Sequence, residues 1–261
     1  MTLALSADQC RALQRLRATH PALRFVLVGA AALGHHVPLP RSTADIDIAM
    51  VVSPDDLDAV LGACGWARDP RMLQRWRGPD GVVVDVLPVS EALLTAGEVR
   101  FGDGDFVMSL AGFELALRYT EFVELPESDE RVEVASLAAL VVLKIVAWLD
   151  RPYDRTKDLG DLAHVLEHAL PPDDDRRWDP DHAVFESGLD HAAQSAFFVG
   201  REVALILDAP HREVLDRFFA RIDAPDGVAF ALMLRATHDR GEDREDRLLH
   251  RLDAFRAGLG R

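Results

Sequence analysis

The stretch "RSTADIDIAMVV", residues 41–52, places two aspartates two positions apart at the start of an apolar run. In a β-strand, residues i and i+2 point to the same face, so Asp45 and Asp47 project together while Ile46 and Ile48 face the other way. Two like charges at the mouth of a buried strand repel each other unless a cation lies between them. The alternation therefore predicts a strand with one apolar face and one acidic face.

A third aspartate lies in a second apolar run, "GVVVDVLPV", residues 81–89. The Gly-Pro-Asp-Gly sequence before it is a turn signal, so this run is predicted to be the second arm of a hairpin. If that arm pairs beside the first strand, Asp85 reaches the same point as Asp45 and Asp47. Three converging carboxylates favour a divalent cation, and two such ions can clamp the reacting oxygens of a phosphoryl transfer. Taken alone, each aspartate is better explained as a turn cap or an edge charge.

A glycine turn precedes the acidic strand. The run "RFVLVGA", residues 24–30, reads as a short strand ending at Gly29, and a helix opens directly from that glycine. Backbone N–H groups at such a helix start can receive phosphate, and glycine permits a close approach of the backbone. The alternative is a tight turn with no ligand. The chain contains neither the Gly-Lys-Ser/Thr loop of P-loop enzymes nor the dinucleotide-binding GxGxxG pattern.

The charge of the chain limits its partners. The formal net charge of -15 over 261 residues disfavours a general electrostatic grip on nucleic acid, although divalent cations can mediate contacts to polyphosphate. Of the 29 basic residues, 27 are arginine, and the only lysines are Lys144 and Lys157. The compact ammonium of lysine suits phosphate oxygens, whereas helix propensity and chance are the alternative reason for these two lysines.

The pattern of elements changes near residue 136. Before it, strand-like runs mix with amphipathic helices, beginning with a helix over residues 7–19 whose Ser6 and Gln9 form a capping box. Short strand and turn pieces are expected after the hairpin. Beyond residue 136 the chain reads as helices, broken at "LDAPHRE" and "IDAPDG". This predicts an α+β fold, with a small mixed-sheet domain over residues 1–135 and an all-α helical domain over residues 136–261.

The sequence also predicts the compartment. No apolar stretch reaches 18 residues, and the first residues lack the basic-then-apolar order of a secretory signal. The two cysteines, Cys10 and Cys64, suggest neither a disulfide framework nor a four-cysteine zinc site. We therefore expect a cytoplasmic protein with no membrane partner.

Four segments in order resemble a known family. "LVGAAALGHHVPLPRSTADIDIAMV" is similar to the first motif of the nucleotidyltransferase superfamily related to DNA polymerase β, and "VVVDVLPV" fits the later strand that carries its third aspartate. The Arg-Ser-Thr-x-Asp-Ile-Asp phrasing is closest to the AbiEii/AbiGii toxin-like branch. That branch also has a lysine-bearing helix and a Lys/Arg-Asp-x-x-Asp-Leu segment, which "LVVLKIVAWLDR" and "RTKDLGDLAHVL" match.

The resemblance implies a role for each matching residue. Asp45, Asp47 and Asp85 would be catalytic and would bind Mg²⁺ or Mn²⁺, with Asp85 helping to deprotonate the attacking hydroxyl. Asp158 and Asp161 would hold Lys157 or an arginine in place. The residues expected to contact the nucleotide are Gly29, Ala30, Arg41, Ser42, Thr43, Lys144 and Lys157.

The function implied is a metal-dependent nucleotidyltransferase that moves a nucleoside monophosphate from an NTP to a hydroxyl acceptor. The acceptor is an RNA end, a protein or a small molecule, and a toxin-like protein would have an antitoxin partner. Ala30 departs from the family pattern, because Gly or Ser usually follows the turn glycine and a serine hydroxyl can donate to phosphate. The alternative is therefore a catalytically weak module that binds a nucleotide or a partner with the same fold. A structural protein with an incidental acidic cluster is a third reading.

Two histidine pairs are further candidates. His35 and His36 follow the glycine turn and either line the pocket or serve packing and capping at a helix end. His164 and His168 are spaced i, i+4 on a helix, which suits a metal, yet no HExxH motif and no third ligand is evident. Trp66, Trp76 and Trp148 are expected in the core.

Overall fold

A computed structural model describes residues 3–40, 43–102, 106–237 and 239–260 of the chain. The chain forms two compact units, Met1–Ser136 and Leu137–Arg261. The first unit is built on a mixed β-sheet, and the second is helical. The α+β class predicted from the sequence is therefore confirmed.

Strands of the first unit make a mixed sheet. They are β1 (Phe25–Val28), β2 (Asp45–Met50), β3 (Ala67–Arg68), β4 (Arg75–Arg77), β5 (Val83–Pro88), β6 (Glu98–Phe101), β7 (Phe106–Ser109), β8 (Thr120–Glu124) and β9 (Arg131–Ala135). Within the described ranges, seven of these strands form one sheet in the order β3-β4-β5-β2-β1-β9-β8, and β6 pairs with β7. Strand β2 runs antiparallel to β1 and parallel to β5. The predicted hairpin around Gly-Pro-Asp-Gly is the antiparallel pair β4–β5.

The helices of the first unit begin where the sequence carries capping signals. They are α1 (Ala7–Thr19), α2 (Gly29–His36), α3 (Pro54–Ala63), α4 (Glu91–Ala96) and α5 (Phe113–Arg118). The capping box at the start of α1 is confirmed, since Gln9 N donates to Ser6 Oγ and Ser6 N donates to Gln9 Oε1.

Helices α4 and α5 lie where only strand and turn pieces were expected, so that part of the prediction was wrong. Ser90 Oγ caps α4 by accepting from Leu93 N, and Gly97 ends it in the left-handed conformation at φ 74°. Six residues are fewer than two helical turns, so such a short helix shows no clear apolar period in the sequence.

The second unit consists of helices of ordinary length. They are α6 (Leu137–Asp150), α7 (Thr156–His168), α8 (His191–Ile206), α9 (Ala209–Ile222), α10 (Val228–Ala236) and α11 (Arg244–Gly258). The predicted breaks fall between α8 and α9 and between α9 and α10, and Asp208 caps α9 by accepting from His211 N. None of the helices in the described ranges is both long and apolar enough to cross a lipid bilayer.

Three of the four tryptophans are core residues, as predicted for them. Trp66, Trp76 and Trp148 are 4%, 2% and 2% exposed. Trp148 of α6 packs edge-to-face against Phe218 of α9, with ring centroids 5.8 Å apart. Aromatic pairs in this geometry add to the apolar area that they bury, so this contact helps to join α6 to α9.

Helices α8 and α11 approach each other through glycines. A Cβ atom on Gly200 would overlap the carbonyl oxygen of Phe255, and a Cβ on Gly258 would overlap that of Phe197. Because the obstructing atoms belong to the backbone, neither helix can yield by a change of rotamer. The absence of side chains at Gly200 and Gly258 therefore sets how closely α8 and α11 pack.

Substituting Gly200 by alanine should destabilise the second unit. Forcing α8 away from α11 costs about 1–3 kcal/mol, which urea unfolding measures. Gly62→Ala is the matched control, because Gly62 lies in α3 with open space around its Cα. That control should be neutral or should stabilise the chain by up to about 1 kcal/mol. Equal effects of the two substitutions would contradict the close contact.

Candidate functional site

The three aspartates lie together at one end of two adjacent strands. Asp47 of β2 is the direct neighbour of Asp85 of β5 in the parallel register, and Asp45 precedes Asp47 by two residues on the same face. Neighbouring strands are about 4.8 Å apart, so the three carboxylates share one patch. Ile46 and Ile48, on the other face of β2, are almost fully buried. The structure thus brings together the residues that the sequence singled out, while their catalytic role stays a prediction.

Arg75 joins this patch from the next strand. In the antiparallel β4–β5 pair Arg75 lies opposite Asp85, and its Nε and Nη2 donate to Asp85 Oδ1 and Oδ2, both at 2.8 Å. The same Nη2 donates to Asp45 Oδ2 at 2.9 Å. The guanidinium therefore bridges two of the three carboxylates. Sequence analysis missed Arg75, although the turn centred near residue 80 predicts its pairing with Asp85 once the hairpin register is drawn.

Three carboxylates and one guanidinium set the electrostatics of the patch. The hydrogen bond to Asp85 and the negative charges of Asp85, Asp45 and Asp47 raise the pKa of the Arg75 guanidinium despite partial burial. Three carboxylates against one guanidinium leave two negative charges among these four side chains. Carboxylate oxygens are the donors that Mg²⁺ and Mn²⁺ prefer, so the residues present fit a divalent cation in both charge and donor type.

Gly29 lies against Asp47. Gly29 has φ 68°, a left-handed conformation that favours glycine, and a Cβ atom placed there would overlap Asp47 Oδ2. A side chain at this position would displace the carboxylate as well as strain the backbone. The glycine predicted from a turn pattern is thus required by the acidic patch itself.

The start of α2 presents backbone donors beside the patch. Gly29 and Ala30 are its first residues, and within the described part of the chain no side chain caps the N-terminal turn. Ala30 is 8% exposed, so its methyl group belongs to the core. The N-terminal N–H groups of a helix favour an anion, which is consistent with the predicted phosphate contact.

The segment between α2 and β2 is only partly described. Thr43 Oγ1 donates to Asp45 Oδ1 at 2.9 Å and thereby orients that carboxylate. Arg41 and Ser42, both predicted to contact the nucleotide, lie outside the described residues. The contact of Thr43 with the triphosphate stays a prediction, and the structure adds the role of holding Asp45.

Lys144 occupies a buried ionic network in the second unit. Its Nζ donates to Asp158 Oδ1 and to Asp161 Oδ2, both at 2.7 Å, and Lys144 is 8% exposed. Burial alone would lower the pKa of the ammonium, but the carboxylates of Asp158 and Asp161 outweigh it, so the pKa of Lys144 is raised. This network ties α6 to α7. A phosphate contact by Lys144, as predicted, would require this ammonium to exchange a carboxylate for phosphate.

The expectation for the two aspartates of α7 needs a correction. They were expected to hold Lys157 or an arginine, and the cation that both of them bind is Lys144. Asp158 also accepts from Arg155 Nε at 2.7 Å, so the arginine alternative is met for that residue. Lys157 is exposed. The i, i+3 spacing places both carboxylates on one helix face, but only the packing of α6 decides which cation meets them.

A polar cavity of about 330 Å³ lies in the second unit, beside the histidine pair of α7. Burial and the neighbouring His164 lower the pKa of His168. The nearby carboxylate of Glu167 pairs with Arg251 through Oε1 at 2.7 Å, and its Oε2 lies 3.8 Å from His168 Nε2. Within the part of the chain that the structure describes, His164 and His168 do not belong to a convergent group of three metal-ligand side chains.

Solved structures of low sequence identity resemble the chain. No family model matches the chain, and no curated protein matches it. An antigenic nucleotidyltransferase-like protein from Paracoccidioides brasiliensis is similar at TM-score 0.44 and 12% identity, over 89% of this chain and 95% of that chain. A protein from H. pylori described as a nucleotidyltransferase is similar at TM-score 0.43 and 12% identity, over 98% of this chain and 96% of that chain. The antibiotic-resistance factor ANT(2'')-Ia has TM-score 0.36 and 14% identity, over 57% and 77%.

Identities and scores at this level do not assign the chain to a family. The functional inference therefore rests on the side-chain geometry of the acidic patch.

Replacing Arg75 by alanine should make the stability of the chain depend on divalent cations. Loss of the bridging guanidinium, whose side chain is 22% exposed, removes charged hydrogen bonds worth about 1.5–3 kcal/mol and leaves three repelling carboxylates. Mg²⁺ should therefore raise the melting temperature of Arg75→Ala more than that of the unmodified chain. Arg77→Ala is the control, since Arg77 is exposed and pairs only loosely with Asp69 at 3.3 Å. An equal response to Mg²⁺ in all three proteins would contradict this reading.

Replacing Lys144 by methionine should strongly destabilise the chain. Two aspartates would lose their shared buried cation, which costs about 3–5 kcal/mol in denaturant unfolding. The exposed Lys157→Met variant should change stability by less than about 0.5 kcal/mol. Because the pKa of Lys144 is raised on folding, the stabilisation is complete below the ordinary lysine pKa of about 10.4 and is lost as the pH rises through the folded value. A Lys144→Met chain as stable as the Lys157→Met control would rule out the network.

Proposed function

We propose that the chain is a metal-dependent nucleotidyltransferase, which moves a nucleoside monophosphate from an NTP to a hydroxyl acceptor. The observation that carries this proposal is the convergence of Asp45, Asp47 and Asp85 beside the backbone of Gly29. A carboxylate cluster supplies cation ligands, and the adjacent helix start supplies phosphate donors. Phosphoryl transfer needs mainly positioning and charge neutralisation, which this combination offers.

Each residue of the site has a defined task in this proposal. Asp45, Asp47 and Asp85 would hold Mg²⁺ or Mn²⁺, which when bound neutralises the phosphates and activates the acceptor hydroxyl. Thr43 orients Asp45, and the N–H groups at the start of α2 receive phosphate oxygens. Arg75 would bridge Asp45 and Asp85 and offset their repulsion until the nucleotide and its cation arrive.

The proposed reaction forms one bond to phosphorus, breaks another and moves one proton. The acceptor oxygen forms a bond to the α-phosphorus, and the bond from that phosphorus to the bridging oxygen breaks, which releases pyrophosphate. The acceptor proton passes to a carboxylate of the patch, for which Asp85 is the proposed base.

The net charge and the family resemblance bear on the class of the acceptor. The net charge of -15 favours a protein or a small molecule, because an RNA end would meet an acidic surface. The resemblance to the AbiEii/AbiGii toxin-like branch favours RNA and implies an antitoxin partner. A cytoplasmic location is part of the same proposal.

Two observations favour a second candidate function. Arg75 already binds both oxygens of Asp85 and one of Asp45, and Ala30 lacks a hydroxyl that could donate to phosphate. A chain with this arrangement would bind a nucleotide or a protein partner with little or no transfer. The labelled-NTP assay described next separates the two functions.

The test uses NTPs labelled at the α-phosphate, with Mg²⁺ or Mn²⁺ and a pool of RNA, protein and small-molecule acceptors. We expect label to move to one acceptor class and to fall at least about a hundredfold in Asp47→Asn, which keeps the side-chain size but removes a cation ligand. Asp58→Asn is the matched control, because Asp58 is 69% exposed and pairs with Arg68 in the same unit.

The outcomes are distinct. Nucleotide binding without transfer would support the binding module. A chain that shows neither nucleotide binding nor transfer, although it is folded by circular dichroism, would refute both functions.

A further inference from the structure

A second group of metal-ligand side chains lies at the far end of α2. His35 and His36 are the last residues of this helix, and both face Glu121 of β8. His35 Nε2 lies 3.0 Å and His36 Nδ1 lies 3.4 Å from Glu121 Oε1. One ligand atom from each of the three residues lies within 4.8 Å of the other two. Two imidazoles and one carboxylate therefore converge on one point.

The distances from Glu121 to the two histidines fit a tetrahedral ion. Ligands about 2.0–2.1 Å from a tetrahedral Zn²⁺ lie about 3.3 Å from one another, which is close to the two measured separations. Two histidines and one glutamate are also a known zinc ligand set, in which a fourth position is left to water. Imidazole nitrogens favour zinc and similar transition ions over Mg²⁺, so this site differs in preference from the acidic patch.

The hydrogen bonding of His36 sets the state of its ring. His36 Nε2 lies 2.8 Å from the carbonyl oxygen of Ala135, which can only accept, so Nε2 carries the proton. In a neutral imidazole Nδ1 is then an acceptor, and it faces the carboxylate oxygen of Glu121, which is another acceptor. Two lone pairs at this distance are held together by a metal ion or by a proton on Nδ1, and the metal titration below separates these two arrangements. Donation by the distal ring nitrogen to a backbone carbonyl is the usual support of a metal-bound histidine.

The burial of the three side chains suits a bound ion with one open side. His35 is 7% exposed, and in the described part of the chain its Nδ1 has no hydrogen-bond partner, so the polar contact of the ring is the one to Glu121. The Glu121 side chain is 49% exposed and gives an ion and a water molecule access.

We propose that His35, His36 and Glu121 bind one zinc-class divalent ion, with water as the fourth ligand. The ion would fasten the end of α2 to β8, which is an edge strand of the sheet. Because α2 begins at Gly29 beside Asp47, the ion holds in place the helix whose first residues adjoin the acidic patch. Metal binding by these three residues does not require that the chain transfer nucleotides.

The test is a metal titration of the full chain after removal of bound metal with a chelator. Millimolar Mg²⁺ is present throughout, so that the acidic patch is occupied by a hard cation. We expect one equivalent of Co²⁺ to bind with the visible absorption of a tetrahedral site, and Zn²⁺ to displace it. Isothermal titration calorimetry gives the affinity for Zn²⁺.

Three variants locate the ion. Glu121→Gln, at a half-exposed position that is safe for folding, should weaken Zn²⁺ binding at least about tenfold and abolish the rise in melting temperature that Zn²⁺ gives the unmodified chain. Glu124→Gln on the same strand, where the side chain is 64% exposed, should leave binding unchanged. His168→Asn removes the competing i, i+4 pair of α7 and should also leave it unchanged.

Two results would overturn the proposal. The first is a folded chain that binds neither Co²⁺ nor Zn²⁺, in which case the cluster is an ion pair between protonated histidine and Glu121. The second is binding that Glu121→Gln preserves or that His168→Asn abolishes. Nucleotidyl transfer can fail without affecting either readout.

Discussion

The parallel pairing of β2 with β5 is the constraint on which the candidate site depends. It sets Asp47 beside Asp85 at the spacing of neighbouring strands, so the carboxylates repel unless a cation intervenes. The register is held from the opposite face, where Ile46 and Val84 are buried. A slip by one residue would turn Asp85 into the core and expose apolar side chains. The packing of the sheet therefore keeps the carboxylates close together despite their repulsion.

Two groups of neighbouring carboxylates in the chain are neutralised in different ways. In the acidic patch a partly exposed guanidinium bridges Asp45 and Asp85, where water and incoming cations can compete for the same oxygens. In the network of Lys144 the ammonium and both carboxylates are buried. If the ammonium left either carboxylate for another partner, an uncompensated charge would remain in a medium of low polarity. The first arrangement suits a site that changes partners. The second suits a permanent link between α6 and α7.

Helix α2 connects the acidic patch to the histidine cluster. Its first residue, Gly29, lies against Asp47, and its last two residues face Glu121 on an edge strand. A helix of eight residues is about 12 Å long, so its two ends move together as one rigid body. Any ligand that fixes one end of α2 therefore restricts the position of the other.

The sequence by itself determined the local elements and the acidic residues of the site. Caps such as Ser6, the Gly-Pro-Asp-Gly turn and the alternation around Asp45 and Asp47 each depend on residues a few positions apart, and such signals are readable without a fold. Only the tertiary structure decided that Arg75 also binds Asp45, that Asp158 and Asp161 bind Lys144, and that Glu121 faces two histidines. These contacts join residues far apart in the chain, and they exist because strand order and helix packing bring them together. Local propensity carries no information about which distant side chain supplies the opposite charge.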